Sequence, residues 1–356
     1  MAIYTDTHIN AQTKGKRFRN EAPNMRSGEG NLPAILWRYL AERIPDKRPS
    51  IALPIRKMRL NPTADGTPML YKISHSTLLL QLNGQYWLTD PVFSKRASPS
   101  QVFGPKRFHK LPIELDEIPA LAGIILSHDH YDHLDKSSIL ALTERTQMFI
   151  VPLGVDNHLI EWGVPANKII ALDWWQETHL GGIRFIATPA QHFSGRGLRD
   201  KNHTLWASWV IQSPEVNVFF SGDSGYFDGF KKIGDRFGPF DLTLIETGAY
   251  DEMWADIHMQ PEQSLRAHLD LKGRHLIPIH NSSFDLALHP WYEPLERIAA
   301  ATKAYGVPLL TPEFGQGIRL NELAHSPALN HGWWKSHLPK NRPEFEIVVP
   351  HMVTDK

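Results

Sequence analysis

No cysteine occurs anywhere in the 356 residues. Disulfides, thiolate-held zinc and cysteine-bound iron–sulfur clusters are therefore excluded, and any metal chemistry must rest on nitrogen and oxygen donors. Net charge is missing too: 38 Lys and Arg balance 38 Asp and Glu. That leaves no electrostatic case for a nucleic-acid partner, and none is expected. No stretch approaches the roughly 18–20 uninterrupted apolar residues of a transmembrane helix. The first twenty residues are polar and lack the apolar centre of a secretory signal, so a cytoplasmic location is expected. Internal repeats and low-complexity tracts are also absent from the sequence. The length is enough to build a sizeable core, and suits one α/β domain with appended ends.

What the chain does hold is histidine. Between Ser127 and Asp135 it reads Ser-His-Asp-His-Tyr-Asp-His-Leu-Asp, directly after the apolar run Gly123-Ile124-Ile125-Leu126. A lone His-x-His is an ordinary polar turn. His128, His130, Asp132 and His133 at the end of a buried strand are not explained that way. The strand end holds the backbone, and the turn aims imidazoles two apart at one point while Asp132 and His133 aim at another. These are donors that suit zinc and related divalent ions.

Three further His or Asp residues follow apolar, β-prone runs. His192 comes after Ile183 to Ala187, Asp223 after Val216 to Phe220, and His280 closes Leu276-Ile277-Pro278-Ile279. Four strand ends thus deliver seven ligand-type side chains to one cleft. They divide into a two-ion site, with His128, His130 and His192 on one ion, Asp132, His133 and His280 on the other, and Asp223 between them. Two ions about 3.5–4 Å apart can lower the pKa of a shared water and neutralise charge on an attacked phosphoryl or carbonyl group.

The chain divides into residues 1–66, a body over 67–320, and a tail over 321–356. In the first part Leu32, Ile35, Leu36, Tyr39 and Leu40 recur at helical spacing behind Pro33. Packing on the domain is the ordinary use of such a helix; roofing an apolar channel or joining a homodimer are the sharper ones. In the body, Tyr71 to Leu82 followed by Asn83-Gly84 and Gln85 to Leu88 signals a hairpin. Strands are expected over Trp206 to Gln212, Val216 to Ser221 and Asp241 to Glu246, and an amphipathic helix over Gln263 to Leu271 with Pro261-Glu262 at its start. No periodicity orders the tail. His8, His158, His179, His325, His337 and His351 lack supporting context and are expected to be solvent-exposed.

His-x-His-x-Asp-His with a distant His, Asp and His resembles the metallo-β-lactamase superfamily of binuclear hydrolases. Further blocks resemble one of its families, the N-acylphosphatidylethanolamine-hydrolysing phospholipases D, in its bacterial branch. They are Leu88-Thr89-Asp90-Pro91-Val92-Phe93-Ser94, Arg96-Ala97-Ser98-Pro99-Ser100-Gln101, Gly104-Pro105-Lys106-Arg107-Phe108, Leu172-Asp173-Trp174-Trp175, Arg236 to Leu242 and Gly248-Ala249-Tyr250. The similarity spans roughly Gly15 to Gly317. It implies a four-layer αββα sandwich with an N-terminal extension, a binuclear zinc centre (manganese or iron being the other ions considered), and phosphodiester hydrolysis. Two places depart from the animal members of the family: His280-Asn281-Ser282-Ser283-Phe284 stands where they have Trp-Gly-Thr-Phe, and Glu246-Thr247 replaces an apolar pair. Both lie near the cleft, so they bear on the substrate.

The resemblance also suggests roles around the seven ligands. His75 and Asp90 match family segments and are expected to hydrogen-bond behind the ligating groups. Asp132 is counted as catalytic as well as ligating. His258, in the loop Trp254 to Glu262, is placed over the cleft, where its imidazole would bind a phosphate oxygen or protonate the leaving group. Leu36, Trp37, Trp254 and Met259 are the apolar residues expected beside the cleft, with Trp254 and Met259 touching an amphiphilic phosphodiester or phospholipid. Peripheral membrane contact would follow from such a substrate. Two other functions fit the same donors: a lactonase or other carbonyl hydrolase, and a lipid-binding protein whose metal site is structural.

Overall fold

The chain alternates short apolar strands with loops and helices, and a computed structural model describes residues 17–21, 37–38, 41–60, 66–197, 199–325 and 332–340 of it. The first sheet contains β1 (Met69–Lys72), β2 (Leu78–Leu82), β3 (Gln85–Thr89), β4 (Leu121–Ile125), β5 (Thr146–Pro152), β6 (Ile169–Leu172) and β13 (Gly317–Arg319). Its order is β13-β1-β2-β3-β4-β5-β6. The second contains β7 (Glu177–Leu180), β8 (Ile183–Thr188), β9 (Ser208–Gln212), β10 (Asn217–Phe220), β11 (Phe240–Glu246) and β12 (Gly273–Ile279), in the order β12-β11-β10-β9-β8-β7.

Strand periodicity explains why the sheets stack. In β2, Leu78, Leu80 and Leu82 face the second sheet, where Phe185, Trp209, Phe220 and Ile277 meet them. Leu79 points the other way, into a core with Leu134, Ile139 and Leu142. The last two belong to helix α1 (Lys136–Leu142), and α2 (Val155–Glu161) adds Val155 and Leu159 on the same side. The outer face of the second sheet presents Ile186, Val210, Phe219 and Leu276 to α3 (Gly229–Phe237), α4 (Pro261–Asp270) and α5 (Glu293–Tyr305). Helix, sheet, sheet, helix is the four-layer sandwich expected. Trp87 ties the middle together, with its ring centroid 4.6 Å from that of Phe185 across the two sheets. Truncating such a buried aromatic removes about 3–5 kcal/mol.

The expected hairpin is β2–β3, turning at Asn83 and Gly84 with φ of 48° and 70°. Two successive positive φ values are what a two-residue hairpin turn demands. The expected strand before it is broken, because the amides of Ile73 and Ser74 both donate to the Thr77 carbonyl and fold residues 73–77 into a tight loop. The expected amphipathic helix is α4, with Pro261 in its first turn.

The described end segments pack on the body. Leu53 shares a buried cluster with Trp291, Tyr292, Leu295, Phe314, Trp333 and Trp334. The expected helix around Leu32, Ile35, Leu36, Tyr39 and Leu40 lies outside the described residues, as do His8 and His351. Among the described residues no helix is long and apolar enough to cross a membrane.

Candidate metal centre

Strand direction brings the ligand-type residues together. β8 and β10 both run opposite to β9, and β10, β11 and β12 are mutually parallel. The carboxyl ends of β8, β10, β11 and β12 therefore open on one edge of the second sheet. In the first sheet, β4 parallels β3 and β5, and its end meets that edge. The Trp209 indole N–H donates to the Leu126 carbonyl over 2.9 Å, and the Ala207 amide donates to the Ser127 carbonyl over 2.9 Å. Gly222 stands at the same seam with φ of 56°, and a Cβ there would lie 2.5 Å from that of Ser127. The loop after β4 is pinned at its far end by Leu134, fully buried, and by Asp135, whose carboxylate caps α1 at the Ser137 amide.

Among the described residues the donor atoms gather in three overlapping groups: the first is His128, His130, His192 and Asp223, the second His75, Asp132, His133 and His280 with Asp223 beside it, and the third Asp223, Glu246, His258 and His280. His128, His130, His192 and Asp223 bring one atom each within 4.8 Å of one another. In the first group His130 Nδ1 is 2.9 Å from His128 Nε2 and 3.2 Å from His192 Nε2, and Asp223 Oδ2 is 3.8 Å from both Nε2 atoms. In the second, His280 Nε2 is 3.2 Å from Asp132 Oδ2 and 3.0 Å from Asp223 Oδ2. His133 Nε2 lies 3.6 Å from Asp132 and 3.1 Å from Asp223 Oδ1. Four ligands around one ion at about 2.0–2.1 Å stand roughly 3.4 Å apart in a tetrahedron, so both spacings fit an ion. His133 Nε2 and Asp223 Oδ1 are buried and close yet lack hydrogen-bond geometry. Two such atoms facing one space are what a divalent ion satisfies.

Three of the remaining ring nitrogens are committed elsewhere, while His280 Nδ1 is buried with no hydrogen-bond partner among the described residues. His133 Nδ1 donates to Asp90 Oδ2 at 2.7 Å, and His192 Nδ1 donates to the Ile257 carbonyl at 3.0 Å. His128 Nδ1 meets the Ser127 hydroxyl at 2.9 Å. Burial, then repulsion from His133 and His130, holds His128 well below the usual histidine range; burial also holds His192 there, against the pull of Asp223. In the second group burial alone would do the same, but Asp223 and Asp132 outweigh it, raising His133 well above its ordinary value and His280 to about 10. Burial likewise opposes ionisation of Asp132 and Asp223, yet the histidines keep both well below the carboxylate range. A divalent ion would take the place of those imidazole protons.

Comparison with known proteins settles the family. The β-lactamase superfamily domain matches residues 86–281, more than half of the chain. The chain belongs to the metallo-β-lactamase superfamily. It is 42% identical over 308 residues to an uncharacterized protein of Mycobacterium tuberculosis, covering 85% of this chain and 81% of that one. It is 35% identical over 239 residues to N-acyl-phosphatidylethanolamine-hydrolyzing phospholipase D 1 of Caenorhabditis elegans, covering 64% of this chain and 67% of that one. A metallo hydrolase from Ignicoccus hospitalis shares the fold, with a TM-score of 0.54 at 20% identity over 71% of this chain and 97% of that one. The protein is thus a metal-dependent hydrolase of the metallo-β-lactamase superfamily.

Within that superfamily frame, the other expected residues are placed as follows. Asp90 lies behind His133, fully buried, and accepts from the Ser127 amide at 2.8 Å and hydroxyl at 2.6 Å. His75 is turned into the seam, with Nε2 3.2 Å from Asp132 Oδ2 and its ring 4.0 Å from that of His280. His75 therefore faces the second donor group directly. His258 has its ring 5.1 Å from that of His192 and 5.3 Å from that of His280, so it stands between the two halves. Its Nδ1 donates to Glu246 Oε2 at 2.9 Å, while Glu246 Oε1 accepts from the Met259 amide at 2.6 Å. Burial pushes the Glu246 carboxyl up despite the pull of His258.

Three expectations are corrected. Met259 is fully buried in the core behind the second sheet, so its side chain has no surface to offer a substrate. Trp254 is 8% exposed, packs on Ala249, Ala287 and Leu288, and spends its indole N–H on the Ala249 carbonyl. Trp37, by contrast, is 71% exposed and keeps its apolar surface available. His158 is not free in solvent: it lies 3.3 Å from Asp129, which also accepts from Gly195 and Thr204 and so braces the metal-site loop. His179 is exposed as expected. Sequence reasoning missed Ser127 and Asn20, and noted Glu246 without a partner; a carboxylate where relatives carry an apolar residue was the available signal.

Proposed function

We propose that the chain hydrolyses phosphodiester bonds, as a phospholipase D-type enzyme acting on N-acylphosphatidylethanolamine-like or related amphiphilic substrates, with two divalent ions, zinc foremost. The observation that carries this reading is the extended similarity to the phospholipase D of Caenorhabditis elegans, joined to the first two donor groups at one seam. His128, His130 and His192 would hold one ion, Asp132, His133 and His280 the other, and Asp223 would serve both. Bound there, the ions supply charge neutralisation at a phosphoryl group and a water of lowered pKa.

The protein's own groups do the rest. Glu246 holds His258 by Nδ1, which leaves Nε2 for a phosphate oxygen or the leaving oxygen. A cavity of about 20 Å³ beside His75 and His280 is lined by Lys47, Asn281, Asp285 and His289 as well as Phe108, Phe284 and Trp291, so it has room for a water rather than an acyl chain. An acylated substrate would instead have to lie against exposed apolar surface, each Å² of which contributes about 25 cal/mol when removed from water. Val102 and Phe103, 71% and 76% exposed, together with Trp37, offer apolar surface to a lipid aggregate.

The test is turnover by metal-loaded protein on N-acylphosphatidylethanolamines of increasing chain length, bis(p-nitrophenyl) phosphate, lactones and a β-lactam. Phosphodiester cleavage whose apparent Michaelis constant falls with chain length is expected. Turnover of lactones alone would replace the proposal with a carbonyl hydrolase. Binding of acylated ligands with no product would leave a lipid-binding protein.

A further inference from the structure

His192 approaches the centre from a loop: β8 ends at Thr188, and although Gln191 bridges to Gly225, His192 itself pairs with no described strand. A buried amide and carbonyl both need partners. The side chain of Asn20 supplies them. Its Nδ2 donates to the His192 carbonyl at 2.8 Å, and its Oδ1 accepts from the His192 amide at 3.1 Å. The same Oδ1 accepts from the Trp206 indole N–H at 2.9 Å, and that indole also donates to the Ala190 carbonyl at 2.9 Å. One amide side chain thus closes a two-bond bridge of the kind a neighbouring strand would make. The segment carrying it is itself anchored, because the Phe18 amide donates to the Asn202 carbonyl at 2.8 Å, while Asn202 bonds to Ser194 two residues beyond His192. The ring of His192 is fixed from its other side by Ile257.

We propose that Asn20 is a positioning residue of the metal centre: it lies 172 residues upstream of His192 and sets that imidazole by clamping its backbone. Asparagine suits the position because one planar group offers a donor and an acceptor side by side. Alanine would leave both main-chain groups of His192 without partners, and the loop would shift to find water. Partners that orient a metal ligand typically change affinity by about 10–100-fold when removed. The loss should fall on the ion held with His128 and His130, because His133, Asp132 and His280 are oriented by other groups. The inference rests on the metal-centre reading.

The experiment uses the full-length chain as wild type, Asn20→Ala and Phe18→Ala. Zinc affinity of each site is measured by stepwise competition with a chelator, and the melting temperature is measured without metal. Asn20→Ala should weaken one of the two ions by roughly ten-fold or more and leave the other within a factor of two to three, while the lost hydrogen bonds lower the metal-free melting temperature without spreading the loss of affinity to both ions. Phe18→Ala, which keeps its own backbone bond, should bind both ions as wild type does. Equal affinity of both ions in Asn20→Ala would overturn the proposal. So would equal weakening of both, since that describes a purely structural residue. Failure of wild type to bind zinc at all would instead remove the metal-centre reading beneath it.

Discussion

Asp90 Oδ2 and His133 Nδ1 lie 2.7 Å apart, and both residues are fully buried. The Asp90 backbone is left-handed, with φ of 34°. A non-glycine residue holds such a conformation at a cost of about 1–3 kcal/mol, met here by surroundings that over-determine it. The Ser127 amide and hydroxyl fill the remaining positions on the carboxylate, so its direction is fixed from two sides. The consequence is one tautomer for His133, with Nε2 aimed at the second donor group.

Asp90→Asn keeps the shape but removes the charge and sets an amide against Nδ1–H or Ser127. Affinity for the ion on Asp132, His133 and His280 should fall about 10–100-fold, with a smaller change at the other ion. Isothermal titration with zinc measures both. Unchanged affinity at both would reduce Asp90 to a cap on the end of β3.

Asp223 faces His133 through Oδ1, and His280, His128 and His192 through Oδ2, so it touches both sets of histidines. Asp223→Ala should therefore lower occupancy of both ions and abolish turnover, whereas His192→Ala should affect chiefly one. Elemental analysis after dialysis distinguishes them. Full occupancy in Asp223→Ala would show that this carboxylate does not serve both ions.

The Glu246–His258 pair yields a prediction about rate. His258→Ala should reduce the turnover number with both ions retained, and Glu246→Gln should reduce it less, since the amide can still meet Nδ1. If His258 protonates the leaving oxygen, the deficit shrinks for leaving alcohols of low pKa, which need no proton in the transition state. A series of aryl and alkyl phosphodiesters reads this directly. Lost metal, or no loss of rate, would take His258 out of the chemistry.

Acid stability depends on a histidine far from the cleft. His268 is buried on α4 with Nδ1 2.7 Å from the Thr243 hydroxyl, and burial, then His275, lowers its pKa from 6.5 to about 4. The folded value is below the unfolded one, so its contribution is fully present above pH 6.5 and is lost as pH falls toward 4. Over that window the wild type should lose about 1.4 kcal/mol per pH unit through this one proton. Denaturant unfolding of wild type and His268→Gln between those pH values should show the difference in slope. Parallel curves would contradict it.

The part of the centre legible in the sequence was the part carried by single strand ends. Spacing within Ser127 to Asp135, and the apolar runs before His192, Asp223 and His280, are local signals. The β2–β3 hairpin was legible for the same reason, whereas the stacking of two sheets was expected only from the family resemblance, because the alternation of Leu78 to Leu82 between two cores is a tertiary fact. Asn20, Ser127 and the Glu246–His258 contact are tertiary: each joins segments that no local spacing relates. Met259 was misjudged because its place is set by a tertiary contact: its amide donates to Glu246 and its side chain is buried behind the second sheet while His258 stands at the cleft. The break at residues 73–77 was hidden by apolar runs on both sides of it.

Anomalous diffraction from zinc-loaded crystals at the zinc edge tests the two-ion centre most directly. Two peaks about 3.5–4 Å apart are predicted, one among His128, His130 and His192, the other among Asp132, His133 and His280, with Asp223 between them. A single peak, or zinc bound away from these seven side chains, would contradict the account.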